Sequence, residues 1–458
     1  MDRRRFLQCI AAAAATPALP VAVRASGAGL GPLAKDPNKL LDIPRGFELT
    51  VVSLFGDAMS DGLKVPALHD GMAAFDAGGG RVALVCNHEM LSHDTERSAF
   101  GTDYDSVPDS IKQHVYDNGR GLTPGAGGTT TTIYDPVRRT TERQHLSLAG
   151  TEINCAGGPT PWGSWLSCEE CFEGPGESNF NGGPVYREKR HGYVFEIPAR
   201  SEGLVDPVPL KAMGRFEHEA TAVHEPTGIV YLTEDRHNSL FYRFLPASRG
   251  ELIKGGRLQA LAIVGRPSQR THNWSASADV EIDTPLAVEW MDLDNVDPLE
   301  NDLRLRGAKD GAATFARGEG LCNAAGDFVF TCTIGGPARL GQVFRYTPSR
   351  FEGTREEKSA PGTLTLIAES TENTLLRNAD NLTLAPWGDL IVCEDTSSAS
   401  CSLIGIRPDG EQYLVADNAY SSSELAGVCF SPDGKTLFVN IQYPGTTVAI
   451  TGPWPEAA

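Results

Sequence analysis

The feature that most constrains the fold is a faint internal repeat. A turn that contains glycine is followed by four or five apolar residues and then by a polar or acidic residue. The copies read GGGRVALVCNHE, TPWGSWLSCEE, EPTGIVYLTED, AAGDFVFTCT, APWGDLIVCED and SPDGKTLFVNIQ. Short strands that recur between turn signals are typical of an all-β chain folded as a β-propeller, and six copies predict six blades. An all-β sandwich with coincidental turns is the alternative.

The copies are unevenly spaced, so some blades must carry insertions. Polar or charged stretches at 90–130, 173–192 and 250–310 are predicted to be loops or short helices. A single catalytic propeller domain is expected over residues 38–458. The C-terminal strand KTLFVNIQYPG is expected to close the ring against N-terminal segments.

The N-terminus is predicted to be a signal peptide over residues 1–25, followed by a linker over 26–37. A basic start, an alanine-rich apolar stretch and small residues before Ser26 support this interpretation. Four residues fit the twin-arginine export pattern: Arg3, Arg4, Phe6 and Leu7. A Sec signal and a basic cytosolic N-terminus are the alternatives. No later stretch reaches the roughly 18 apolar residues of a membrane helix, so we expect a periplasmic or secreted protein free of the membrane.

The net charge of −19 argues against nucleic acid or anionic lipid as a partner. An acidic protein attracts cations instead. If its substrate is an anion, the protein must reverse its own field locally, and bound metal ions are the simplest means.

The cysteines are mostly predicted to be core thiols. Cys9 leaves with the signal peptide, and an odd number, nine, remains, so at least one stays unpaired in an oxidising compartment. Five lie in apolar runs: Cys86, Cys168, Cys332, Cys393 and Cys429. The pair Cys168 and Cys171 forms a CxxC, but no second CxxC or nearby histidine pair supports a zinc or redox site.

A second short segment precedes each turn and is predicted to be the innermost strand of its blade. Each carries a polar residue between small ones: Asp70, Glu152 or Cys155, Glu219, Glu319, Asp380 or Asn381, and Glu424. The second strand then ends in Glu89, Glu169 or Glu170, Glu234 or Asp235, Glu394 or Asp395, or Asn440. Fifteen residues separate Cys155 from Glu170, Glu219 from Glu234, and Asp380 from Asp395. Equivalent positions in a propeller converge near the central channel, so these side chains are expected to meet.

Converging carboxylates repel each other unless cations lie between them. Oxygen ligands suit calcium, magnesium and ferric iron, and a thiolate from Cys155 favours a transition metal in part of the site. Acids that merely end strands in solvent are the alternative. Arg317 and Glu319 share one face of a strand, where the guanidinium could hold a phosphate or carboxylate or form a structural salt bridge. His88 and His218 are expected to point away from the acids. The pattern assigns no role to Arg236 or His237.

These residues resemble the PhoX-type alkaline phosphatases over roughly residues 40–455. The resemblance rests on CNHE, NCAGGPTPWGSWLSCEE, HEATAV, YLTEDR, FARGEG, DNLTLAPWGDLIVCED, LAGVCFSPDGKTLFVNIQYPGTTVAITGPW and the twin-arginine signal. It implies a propeller with an iron and calcium cluster that hydrolyses phosphate monoesters. The metal ligands that it implies are Glu89, Cys155, Glu170, Glu219 or Glu234, Glu319, Asp380 and Asn381, with Arg317 on the phosphate. Glu152 is a further candidate. Gly318 stands where the family often has proline, and the chain is shorter than many members, which leaves the substrate open.

The sequence therefore predicts a monomeric metal-dependent phosphomonoesterase that takes a small phosphate ester as substrate and the twin-arginine machinery as export partner. Fe(3+) and Ca(2+) are its expected cofactors, and Arg317, Glu319 and Cys155 are its expected catalytic residues. The alternatives are a calcium-dependent propeller lactonase or phosphotriesterase-like hydrolase, and a non-catalytic binding propeller.

Overall fold

The computed structural model describes residues 29–180, 183–275, 277–396 and 400–456. The predicted signal peptide lies outside the described residues. Within them the chain forms strands β1–β30 and two short α-helices, α1 (Asp109–Lys112) and α2 (Leu303–Asp310). Single 3-10 turns lie at Thr95–Arg97, Tyr104–Ser106, Gly119–Gly121, Lys211–Met213, Leu252–Lys254 and Arg355–Ser359. The all-β prediction is confirmed.

Five large antiparallel sheets make up the fold. Sheet I contains β4 (His69–Gly78), β5 (Arg81–His88), β6 (Gly127–Asp135) and β7 (Thr140–Thr151). Sheet II contains β8 (Asn154–Pro159), β9 (Ser164–Glu169) and β12 (Val194–Pro198). Sheet III runs in the order β13 (His218–His224), β14 (Ile229–Glu234), β16 (Tyr242–Pro246), β17 (Gly256–Ile263), β18 (Leu286–Asp292), β23 (Thr363–Glu369), β22 (Gln342–Thr347), β21 (Asp327–Cys332) and β20 (Gly318–Ala324).

The remaining strands form two large sheets and two ribbons. Sheet IV contains β24 (Ala379–Leu384), β25 (Leu390–Glu394), β26 (Ser402–Ile406), β27 (Gln412–Asn418), β2 (Leu41–Pro44) and β1 (Leu33–Ala34). Sheet V contains β28 (Leu425–Phe430), β29 (Thr436–Ile441), β30 (Thr446–Thr451) and β3 (Glu48–Leu54). The ribbons pair β10 (Gly176–Phe180) with β11 (Gly183–Arg187), and β15 (His237–Ser239) with β19 (Phe315–Ala316).

Six inner strands form a closed ring, which makes the arrangement propeller-like. Strand β4 contacts β8, β8 contacts β13, and the contacts continue through β20, β24 and β28 back to β4. Small residues allow this crowding. A Cβ on Gly71 would lie 2.5 Å from the Ala156 Cα, and one on Gly320 would lie 2.7 Å from the Asn381 Cα.

Two details differ from the predicted six separate blades. Strands lie where only loops or short helices were expected: β10 and β11 in the stretch 173–192, and β17 and β18 in the stretch 250–310. Strand β18 pairs with β23 through Leu286 and Leu364. This extra strand joins two ring segments into one nine-stranded sheet. The closing pair is also one strand later than predicted, because β3 pairs with β30 rather than with β29.

Aromatic side chains fill the space between the two halves of sheet III. The rings of Phe241 and Phe330 stack with their centres 4.4 Å apart, and Tyr231 and Tyr346 pack beside them. These buried rings fix the inner strands β13 and β20 against each other.

Within the described residues, no helix is long and apolar enough to cross a membrane.

Candidate metal centre

A cavity of about 240 Å³ lies at one end of the ring, and every residue that lines it is polar. Its lining consists of nine carboxylates, one thiol, one guanidinium and one amide: Asp70, Glu89, Glu170, Glu219, Asp235, Glu319, Asp380, Asp395, Glu424, Cys155, Arg317 and Gln442. We call this the acid cavity. The inner strands begin at this end of the ring and the second strands of the sheets finish there, so we call it the cavity face.

The inner strands place their site residues by means of β-bulges. Pairing with the second strand is interrupted around Asp70, Cys155, Glu219, Glu319 and Asp380. A bulge bends a strand and redirects its side chains, here towards the channel. Left-handed backbone precedes four of these bulges, at Leu68, Ile153, Arg317 and Asn378, with φ between 47° and 59°. Such a conformation is unusual for residues other than glycine and accompanies functional sites.

The second strands follow one rule. Five lining residues are each the first residue after a second strand: Glu89, Glu170, Asp235, Asp395 and Gln442. In the sixth ring segment this position is Thr333, whose hydroxyl donates to the Glu319 carboxylate over 2.6 Å.

The acids at the ends of these strands turn the other way, into the sheets. Glu169 accepts hydrogen bonds from the Gly192 and Tyr193 amides and contacts His191 Nδ1 at 2.6 Å. His191 also lies 3.3 Å from Asp117, and although burial opposes it, the two carboxylates raise its pKa to about 10. Ligand atoms of Glu169, Cys171 and His191 lie close enough to hold a metal, but the ion pairs already account for the imidazole.

Sheets III and IV repeat this division. Glu234 accepts from the Tyr242 hydroxyl over 2.7 Å, and its neighbour Asp235 lines the cavity. Glu394 accepts from the Arg377 and Ser402 amides, and its neighbour Asp395 lines the cavity. The ambiguity between adjacent acids in the sequence is therefore resolved by which one follows the strand.

Three predicted ligands do not line the acid cavity. Glu152 is buried in an ion pair with Arg187, whose Nη2 lies 2.7 Å away, and it also accepts from Ser92. Glu234 lies inside sheet III as described. Asn381 donates to Asp380 over 2.9 Å and accepts from the Gly427 amide. It therefore orients the Asp380 carboxylate without lining the cavity itself.

The other predicted site residues all reach the cavity: Glu89, Cys155, Glu170, Glu219, Arg317, Glu319 and Asp380. Four further lining acids belong to the aligned strand positions but not to the ligand set that the resemblance implies: Asp70, Asp235, Asp395 and Glu424. Gln442 was not predicted, because its side chain is neither an acid nor a thiol. Only its place directly after β29 could have revealed it.

Crowding and burial make these carboxyls reluctant to ionise. Burial is the main cause, and neighbouring acids add to it. The pKa of Glu89 is raised to about 7 and that of Asp380 to about 8. The pKa values of five other acids are raised well above their ordinary range: Asp70, Glu170, Glu219, Glu319 and Glu424. Burial, Glu219 and Glu170 also raise the pKa of the Cys155 thiol. Cations in the cavity would favour the ionised forms instead.

Three groups of lining residues place their ligand atoms within 4.8 Å of one another. They are Cys155 with Glu170 and Glu219, Asp70 with Glu89 and Glu424, and Glu219 with Glu319 and Asp380. Glu219 belongs to two groups, so one carboxylate could bridge two ions. The donor set therefore fits several cations, one of them bound in part by sulfur.

Arg317 is the one guanidinium among the lining residues. Its Nε donates to Asp235 over 2.7 Å, its Nη2 also contacts Asp235, and Nη2 lies 3.4 Å from Glu319. Although burial opposes it, the hydrogen bond to Asp235 and the charges of both acids raise its pKa. The side chain is 31% exposed, so part of it remains open to solvent while it lines the cavity.

Comparison with known proteins identifies the family of the chain. The family profile described as Alkaline phosphatase PhoX matches residues 28–445. No curated protein matches significantly.

Among solved structures, Pseudomonas fluorescens PhoX in complex with vanadate, a transition state analogue, is 18% identical with a TM-score of 0.67. The match covers 92% of this chain and 97% of that one, and it shows a shared fold. A protein of unknown function from Dyadobacter fermentans is 8% identical over 89% of this chain and 100% of that one, with a TM-score of only 0.44. Because the family profile spans most of the sequence, the resemblance predicted from the motifs is confirmed, and the chain belongs to the PhoX family of alkaline phosphatases.

Proposed function

We propose that this protein is a metal-dependent phosphomonoesterase whose reaction takes place in the acid cavity. One observation carries the proposal: nine carboxylates and a thiol converge on a cavity of about 240 Å³ beside a single lining guanidinium. Such a set of buried acids is costly unless cations neutralise it. With cations bound, the same cavity attracts an anionic phosphate ester.

The donor atoms suggest how iron and calcium would be distributed. The group with Cys155, Glu170 and Glu219 includes sulfur and suits Fe(3+), whereas the two groups built from carboxylates suit Ca(2+). When bound, these ions would supply positive charge to the phosphoryl oxygens and to the leaving oxygen. We propose Glu89, Cys155, Glu170, Glu219, Glu319 and Asp380 as ligands, as the resemblance implies, and add Asp70 and Glu424.

Arg317 would hold the substrate phosphate. Asp235 engages its Nε and Nη2, so Nη1 remains to donate to a non-bridging phosphate oxygen. This clamp fixes the guanidinium before the substrate arrives, and phosphoryl transfer depends mainly on such positioning and charge neutralisation. Thr333 holds Glu319 beside it.

Cys155 is proposed as a ligand and not as a nucleophile. Its side chain is buried, and its Sγ lies 3.3 Å from the His218 carbonyl oxygen. Burial and neighbouring acids keep the thiol protonated unless a cation is present. No covalent intermediate is needed for this reaction.

We also propose that the ring is a six-bladed propeller. Six inner strands support this count, with the nine-stranded sheet taken as two blades joined by β18. Residues 1–25 are proposed as a twin-arginine signal, 26–37 as a linker and 38–458 as the catalytic domain of a monomeric periplasmic or secreted enzyme. N-terminal sequencing of the exported protein would test the cleavage before Ser26.

The natively exported protein tests the function directly. It should contain both iron and calcium and should hydrolyse p-nitrophenyl phosphate. Calcium as the sole bound metal, together with lactone hydrolysis and no phosphatase activity, would contradict the proposal. A metal-free protein without either activity would contradict it as well.

A further inference from the structure

A group of basic and aromatic side chains lies on the cavity face beside Arg317. We call this group the basic rim, and its members are His237, His272, Trp274 and Arg339. The acid cavity itself does not include them. They come from three separate connections, those that follow β14, β17 and β21, and all three connections emerge on the cavity face.

Backbone contacts tie the basic rim to Arg317. His237 pairs with Ala316, the residue directly before Arg317. The Trp274 indole donates to the Ile334 carbonyl over 2.7 Å, and Ile334 follows Thr333, whose amide donates to the Arg317 carbonyl. The rim is therefore built onto the same turn that positions the phosphate-binding arginine.

Arg339 and its neighbours form a stack. The guanidinium carbon of Arg339 lies 4.6 Å from the Trp274 ring centre, and the Trp274 ring lies 4.5 Å from the His272 ring with the planes 18° apart. The exposed His237 ring lies 6.0 Å from the Trp274 ring. His272 is only 1% exposed, and its Nε2 has no partner among the described residues.

Arg339 lacks the partner that a structural arginine normally has. The chain contains 59 acids and 40 lysines and arginines, and the nearby Arg236 pairs with Glu217. Within the described part of the chain, Arg339 is exposed, and its side chain forms neither an ion pair nor a hydrogen bond. A cation–π contact orients the guanidinium but leaves its N–H donors free. The rim therefore presents an uncompensated positive charge.

We propose that the basic rim binds a second anionic group of the substrate, a carboxylate or a second phosphate, while Arg317 holds the phosphate that is cleaved. This inference rests on the proposed function and narrows the substrate class. The preferred phosphomonoesters are those that carry another negative charge some distance from the ester. Trp274 and His272 act as supports that hold Arg339 towards the mouth.

Two matched series of inhibitors test the rim on the metal-loaded exported protein. One series consists of phosphonocarboxylates with two to six carbons, and the other consists of alkylphosphonates of equal length. Calorimetric titration should show about two- to fivefold tighter binding of the carboxylate at one chain length, in keeping with an exposed ion pair. Arg339→Gln should remove this gain without weakening the alkylphosphonate, and Arg339→Lys should keep part of it.

Arg350 provides the control variant. Its guanidinium carbon also lies 4.6 Å from an aromatic ring, that of Phe351, but its connection between β22 and β23 emerges at the opposite end of the sheets. Arg350→Gln should leave both series unchanged. Equal affinity for the two series would overturn the proposed role of the basic rim, and so would a carboxylate gain that survives Arg339→Gln. Phosphatase activity would still support the proposed function in either case. Failure of both series to bind, with no ester hydrolysis, would overturn both proposals.

Discussion

Two neighbouring carboxylates in sheet II have opposite surroundings. Glu169 ends β9 and is surrounded by donors from Gly192, Tyr193 and His191. Glu170, one residue later, faces the acid cavity, where the groups nearest its charge include Asp235, Glu89 and Glu319. The first acid is satisfied by the protein alone, whereas the second is not.

This difference separates structural from functional acids. Pairs of adjacent acids end three second strands, and in each pair the acid that ends the strand is hydrogen-bonded inside its sheet. Among the acids that follow the strands, Asp235 is paired with Arg317, whereas Glu170 lacks such compensation among the described residues and raises the energy of the folded chain. Charged groups that lower the stability of the folded chain are typical of binding and catalytic sites.

The largest effect should come from substitutions of the two neighbouring acids Glu170 and Glu169. Glu170→Gln should lower phosphatase kcat/KM by about 10²- to 10³-fold and reduce the bound metal, because a ligand and its charge are lost. The metal-stripped variant should be at least as stable as the parent, because one repelling carboxylate is gone. Kinetics, elemental analysis and thermal unfolding measure these effects.

Glu169→Gln provides the matched contrast. It leaves the buried His191 imidazolium short of a counter-charge, so the free energy of unfolding should fall by about 3–5 kcal/mol. Metal ligands are untouched, and activity at low temperature should stay close to that of the parent. Equal stability losses for the two variants would break the distinction between them.

Substitutions of Arg317 test its proposed role in binding the substrate phosphate. Arg317→Gln should reduce kcat/KM by about 10²-fold, because the charge and the hydrogen bond that face the developing phosphoryl charge are lost. Arg317→Lys should recover little of this, since a lysine cannot pair with Asp235 and the phosphate in the same forked geometry. Bound metal should be unchanged in both variants. A loss of metal together with the activity would assign Arg317 a purely structural role.

Cys155→Ser tests whether sulfur is part of the metal site. Serine is nearly isosteric, so the variant should fold, keep most of its calcium and lose iron together with most activity. An iron–thiolate bond also adds a visible charge-transfer absorption that the variant should lack. Unchanged iron and colour in the variant would remove the thiolate from the site.

The smallest effect concerns the pH dependence of stability after the metal is removed. The pKa values of Glu89, about 7, and Asp380, about 8, lie above their unfolded values, so the folded chain binds more protons at intermediate pH. Their contribution to stability is complete below about pH 4 and is lost as pH rises through 7 to 8. Between pH 7 and pH 8 these two groups should lower the free energy of unfolding of the stripped protein, measured in urea, by about 1 kcal/mol. A stability that rises with pH would contradict the ordering of these pKa values.

Much of the fold could be predicted from the sequence, because glycine turns and apolar strands recur in every ring segment. The joining of two segments by β18 could not: its residues, LAVEWMD, are mostly apolar, but they lie outside the repeat in a stretch rich in charged residues. The convergence of acids on the channel followed from the repeat alone. The choice between adjacent acids did not, because side chains alternate along a strand and one residue changes the face.

In sheet III, a difference of one residue in the strand pairing makes the fifteen-residue spacing select the wrong acid. In sheets II and IV, paired positions such as Asn154 and Glu169 are fifteen residues apart, and the cavity residues Cys155 and Glu170 follow them. In sheet III, His218 pairs with Glu234 across sixteen residues. The fifteen-residue rule therefore selects Glu234, while Asp235 lines the cavity.

We propose that cations take the place of protons on the cavity acids. Proton release during calcium titration of the EGTA-treated protein tests it most directly, measured near pH 6.5 by calorimetry in buffers of different ionisation enthalpy. We expect calcium to bind with release of more than one proton per protein, and less release in Glu170→Gln but not in Glu169→Gln. Calcium binding without proton release, or equal release from all three proteins, would contradict it.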